Sequence, residues 1–113
     1  MLFALWNYAL RAIFTLAALI DGPLHGYAIM RRAGELSGGT VRVTTGTLYS
    51  IIERATAEGL VKAGEPYVVA GRERRDYELT AAGRGVLQDE ADRLARAARA
   101  VSARLRATGV VAT

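Results

Sequence analysis

The last third of the chain carries its strongest constraint. Leu87, Ala91, Leu94, Ala98, Val101 and Leu105 follow one another at steps of 4, 3, 4, 3 and 4 residues. Only a long α-helix places such a series on one side, as an apolar heptad seam. Arg and Asp/Glu fill the other faces, and Thr80 stands where the helix needs its N-cap. A helix over residues 80–108 outruns what a small domain can cover. The seam therefore predicts a second copy of the chain, clasped through this helix to form a homodimer. The alternative is that the helix folds back on the first helix of its own subunit. Residues 109–113 read as a frayed tail.

Residues 1–79 then form the other unit. The whole chain has 113 residues, 51% of them apolar and 23% charged, which is the composition of one folded domain. It contains no cysteine, which excludes disulfides, thiolate metal sites and cysteine nucleophiles and predicts a reducing, cytoplasmic setting. His25 is the only histidine. A lone imidazole without neighbouring carboxylates or thiols supplies neither a metal site nor a catalytic pair. No acid, base and nucleophile converge, so neither an enzyme nor a cofactor is expected.

Residues 1–20 are almost continuously apolar, yet Asn7 and Arg11 interrupt them. A membrane span wants about 20 residues with few or no charges, and Arg11 would lie near its midpoint. A secretory signal would carry its positive charge ahead of the apolar run. The segment reads instead as a buried helix covered on more than one side, with no membrane partner. Trp6 and Leu10 are candidates for the subunit interface, and Trp6 also for the wall of a ligand cavity.

Asp21-Gly22-Pro23 stops this helix. Ile29, Met30, Ala33 and Leu36 mark a second helix over about His25 to Ser37, ended by Gly38-Gly39. Thr40 to Val43 reads as a short extended piece. A third helix starts at Thr44 or Thr45, buries Leu48, Ile51, Ile52 and Ala55, and stops at Gly59. Leu60 to Val69 reads as a strand in which Pro66 demands an edge or a bulge. Ala70-Gly71 turns the chain, and Glu73 to Leu79 returns as its partner.

Helix, helix, short strand, helix, two-stranded ribbon and long helix is the order of a winged helix-turn-helix, mainly α with a small β component. More specific words lie on that frame. Leu24-His25-Gly26-Tyr27-Ala28-Ile29-Met30 opens the second helix, and Gly46-Thr47-Leu48-Tyr49 opens the third. Ala57-Glu58-Gly59-Leu60-Val61 closes the third, and Arg72 to Thr80 followed by Ala81-Ala82-Gly83 forms the wing and its return. Over about Leu10 to Leu105 the chain resembles the PadR family of bacterial transcriptional regulators, in its short branch with a single C-terminal helix. It departs at Thr45, where the family usually has Pro, and at Ala55, where it usually has Leu; the smaller Ala55 should thin the core behind the third helix.

The resemblance implies a homodimeric repressor that binds palindromic double-stranded DNA and is released by a small aromatic or drug-like effector. Thr45, Thr47, Tyr49, Ser50 and Arg54 on the exposed side of the third helix are the expected readers of the duplex. Arg72 and Arg74 sit at the wing tip, where a hairpin reaches phosphate or the minor groove. Arg75 should face the other way and pair with an acid, and Lys62 adds a candidate phosphate contact. His25 caps the second helix, approaches a phosphate or packs in the core. Tyr27 and Tyr77 read as core or interface aromatics. Net charge is +4, with a local knot at Arg72-Glu73-Arg74-Arg75, as a polyanion-binding surface wants. The third helix itself is nearly neutral, which leaves a protein-interaction module that does not read DNA as the alternative.

Overall fold

The computed structural model describes residues 2–109, with side-chain surroundings from residue 7 onward. Its elements run α1 (Leu2–Ala17), β1 (Leu24–His25), α2 (Gly26–Leu36), α3 (Thr45–Ala57), β2 (Val61–Ala63), β3 (Tyr67–Val69), β4 (Arg72–Arg74), β5 (Asp76–Leu79) and α4 (Ala81–Ala107). Helices α1, α2 and α3 enclose a core of Leu16, Leu19, Ile29, Ala33, Leu48, Ile52 and Ala55, closed below by Val61 and Leu79 from the sheet. This is the winged helix-turn-helix with a long C-terminal helix that the sequence implies.

Local chemistry fixes the helix ends. Thr44 is the N-cap of α3, its hydroxyl accepting from the Thr47 amide at 3.4 Å. At the other end Gly59 takes a positive φ of 76°, which glycine reaches without penalty. The Leu60 amide then bonds back to the Ala55 carbonyl and the Gly59 amide to the Thr56 carbonyl, the pairing of a Schellman cap. Arg11, which argued against a membrane span, donates through Nε to the Arg42 carbonyl at 2.8 Å and so ties α1 to the loop before α3. Among the described residues, no helix is long and apolar enough to cross a membrane.

Four details differ from the sequence reading. The ribbon is broken into two sheets, β1-β5-β2 and β3-β4. Gly64-Glu65-Pro66 interrupts one strand and Arg75 the other, because Pro66 has no N–H to extend the ladder. Thr40 to Val43 joins no strand, although Val41 and Val43 are buried. Instead Leu24 and His25 form β1, opposite Tyr77 and Asp76 of β5. Finally, Leu87 of the heptad seam lies in the core of its own subunit, and Leu10 packs against that same core.

The α4 helix is rooted in the head before it leaves it. Thr80 accepts from the Gly83 amide at 3.0 Å while its hydroxyl donates to the Gly59 carbonyl at 2.7 Å. A Cβ on Gly83 would stand 2.2 Å from the Leu60 carbonyl oxygen and 2.6 Å from Leu79 Cδ1, so only glycine allows this approach. Beyond Leu87 the helix projects, giving the molecule extents of 60 × 28 × 25 Å. Along it Leu94 is half-buried, while Ala91, Ala98, Val101 and Leu105 are exposed. Beside Ala55, a hollow of about 150 Å³ between α1 and α3 marks the room left by the small side chain.

Candidate nucleic-acid interface

A cleft of about 550 Å³ opens between the start of α2, the N-terminal half of α3 and the wing. His25, Gly26, Tyr27, Tyr49, Tyr77 and the run Arg72 to Arg75 line it. Three Arg and one Glu, Glu73, are among these lining residues, so the lining carries net positive charge. The other face of the sheet is different. There Lys62 stands among Glu65, Asp76 and Glu78. The two faces thus carry opposite signs, and a polyanion is drawn to one and repelled by the other.

Tyr49 projects from α3 across the cleft. Its hydroxyl oxygen lies 2.6 Å from where a Cβ on Gly26 would be, so the bare backbone at the first residue of α2 makes room for the phenol. Tyr77 sits half-buried beside it. Burial pushes the Tyr77 phenol above its ordinary range, with Tyr49 adding to the rise and the Arg75 guanidinium opposing it. The Tyr77 phenol therefore stays protonated near neutrality.

The wing is a tight hairpin. Ala70 and Gly71 take successive positive φ values of 51° and 77°, as a two-residue turn of the right twist requires. Arg72 pairs with Val69 and Arg74 with Tyr67 across the ribbon. Directly opposed residues share a face, so both Arg side chains belong to the face that carries Tyr67 and Val69. Among the described residues, Arg75 pairs with no acid. Its Nη1 donates to the Gly64 carbonyl at 3.1 Å, holding the wing to the base of β2.

The structure brings together His25, Tyr49, Arg72 and Arg74 of the expected readers. Thr45 and Ser50 are exposed on α3 outside the cleft lining. The Thr47 hydroxyl accepts from Thr44 at 3.1 Å and is engaged in the helix cap. Arg54 lies on the flank of α3 that faces α1 and meets Glu58 at 3.7 Å. Lys62 lies on the acidic face, away from the cleft. His25 occupies the N-cap position of α2 but makes no side-chain cap bond. Trp6 lies outside the residues whose side chains are described.

Of the two places expected for Tyr27, core or interface, the structure excludes the core. Tyr27 is 68% exposed at the cleft rim, not buried. The signal was present, since it precedes Ile29 by two residues and so lies on nearly the opposite side of the helix.

The model of the transcriptional regulator PadR-like family matches residues 15–89, from the end of α1 into α4. The chain belongs to the PadR-like family of transcriptional regulators. Its members are regulators and not enzymes. The chain is 41% identical over 81 residues to a transcriptional regulator of Mycobacterium tuberculosis, covering 72% of each chain. It is 43% identical over 84 residues to an uncharacterized transposon protein of Streptomyces fradiae, but spans only 23% of that protein's length. Among solved structures, a PadR family regulator from Eggerthella lenta superposes with a TM-score of 0.74 at 21% identity, over 92% of this chain and 88% of that one. Bacillus subtilis PadR in complex with operator DNA superposes with a TM-score of 0.61 at 25% identity, over 69% of this chain and 45% of that one.

Proposed function

We propose that this PadR-like regulator is a cytoplasmic repressor that binds palindromic operator DNA as a homodimer and releases it on binding a small aromatic or drug-like effector. The observation that carries the DNA-binding reading is the basic cleft in which Tyr49 of α3 and the Arg72/Arg74 wing converge. The operator complex of the Bacillus relative, which shares this fold, supports it.

In this reading residues 1–79 bind DNA and residues 80–108 join the subunits. Tyr49 touches base edges or the groove wall, with Thr45 and Ser50 beside it on α3. Arg72 and Arg74 neutralise phosphate, with His25 at the cleft floor. The stripe of half-buried Leu94 and exposed Ala98, Val101 and Leu105 of α4 meets its copy, which sets two recognition helices about one duplex turn apart, roughly 34–36 Å. An effector lodged near that interface acts only through unequal affinity for two arrangements of the heads.

Genome-wide recovery of bound DNA tests this reading. Recovery of inverted repeats supports it, and recovery without sequence preference sinks it. Arg74→Ala should weaken binding to every duplex and lower the salt slope by about 1. An unchanged affinity and slope would remove the wing from the interface.

A further inference from the structure

The wing is joined to the body by little chain. Gly64-Glu65-Pro66 leads into it and Arg75 alone leads out. Near this neck the Tyr67 hydroxyl donates to Asp76 Oδ1 at 2.5 Å, linking the first residue of β3 to the first residue of β5. Tyr67 is also the cross-strand neighbour of Arg74. Both Tyr67 and Asp76 line the acidic face of the sheet, and neither lines the basic cleft. On the ribbon the Tyr67 side chain shares a face with Arg74, so the Tyr67–Asp76 pair lies at the neck of the wing and outside the cleft lining.

We infer that Tyr67 and Asp76 are positioning residues for DNA binding, a clasp at the neck of the wing that fixes the angle at which Arg72 and Arg74 meet the duplex. The inference rests on the reading of the cleft as a DNA interface. Two further bonds share the neck. The Gly64 amide donates to the Asp76 carbonyl at 2.8 Å, and Arg75 donates to the Gly64 carbonyl. Both join positions 64, 75 and 76, so they fix the base of the neck. Among the described residues, only the Tyr67–Asp76 hydrogen bond reaches from the ribbon itself to the sheet. Without it, β3 and β4 turn about Pro66 and Arg75, and the two guanidinium groups spread over many orientations. Binding then has to order them, which lowers affinity.

Charge makes the clasp separable from a general electrostatic effect. Asp76 is an anion near a DNA site, so its removal should by Coulomb attraction alone tighten binding. A positioning role demands the opposite sign. Asp76→Asn keeps an oxygen that accepts from Tyr67, whereas Asp76→Ala does not.

The test measures binding of the full chain and its variants to a duplex selected by the wild-type protein from a random-sequence pool, across a salt series. Tyr67→Phe and Asp76→Ala should each weaken binding about fivefold, and the double variant no more than either alone. Asp76→Asn should bind as tightly as the wild type or tighter. In an Arg72→Ala/Arg74→Ala background, Tyr67→Phe should cause no further loss. Hydrogen exchange at the β3 and β4 amides should rise in Tyr67→Phe while that of α3 stays unchanged, which excludes general unfolding. Wild-type affinity in Tyr67→Phe, or tighter binding by Asp76→Ala, overturns the clasp while leaving the cleft reading intact. If Arg72→Ala/Arg74→Ala itself binds like the wild type, the cleft reading fails and the clasp fails with it.

Discussion

The two ends of this molecule spend their apolar residues differently. In the head, Leu48 and Ile29 lose all contact with solvent, packed by three helices and a sheet from the same chain. In the outer part of α4, Val101 stays 61% exposed although it belongs to the most regular apolar pattern in the sequence. Regular spacing records that a face is meant to be covered. It does not record by whom. The head completes its core alone, and the helix offers a surface whose partner lies beyond its own subunit in the proposed dimer.

Substitutions can break that contrast, beginning with the head. Leu48→Ala should cost about 3–5 kcal/mol in urea unfolding at any protein concentration, because the cavity opens inside one subunit. Val101→Ala should leave the unfolding of a dilute sample within experimental error. An equal loss at both positions would show that α4 is covered within its own chain. The junction comes next. Gly83→Ala should lose about 3 kcal/mol through overlap with the Leu60 carbonyl and Leu79, which would loosen the root of α4. Retention of full stability there would mean that the helix can step away from the head without penalty.

A pair of charges tests the outer helix alone. Leu94→Glu with Val101→Glu should convert a dimer to monomers in sedimentation while the melting of the head, read at its tyrosines, is unchanged. A dimer that survives both charges moves the subunit contact elsewhere.

The smallest effect concerns the wing. The hydrogen bond to Asp76 raises the Tyr67 phenol above its ordinary value, and burial adds to the rise. The phenol donates only while protonated, so its bond is present through neutrality and is lost as pH climbs above about 10, through the raised value. Absorbance titration should show one late-ionising tyrosine fewer in Tyr67→Phe, and no change in α4.

Legibility in the sequence follows how local each determinant is. Helix α3 was readable to within a residue because Thr44 and Gly59 act on their own neighbours. The β1 strand was not, since Leu24 and His25 become a strand only when β5 arrives beside them from fifty residues away in the chain. Pro66 announced an irregularity, but the loss of its donor alone does not say that the ribbon divides in two. Leu87 fits both the heptad and the core, and periodicity cannot choose between them. At the cleft, Tyr49 and the Arg pair were visible from the order of elements, whereas Tyr27 needed its helical phase to be weighed against its hydrophobicity. The separation of Lys62 and Arg54 from the cleft depends on which face each strand and helix turns outward, which neighbouring elements decide.

The missing side chain at Gly26 has a consequence for how such regulators diversify. The phenol of Tyr49 rests in space that a side chain at position 26 would occupy, so the reach of the proposed reader is set by a position that belongs to a different helix. A change of aromatic size at 49 and a change of bulk at 26 are coupled, and new operator preferences along this lineage should arise by the two moving as a pair.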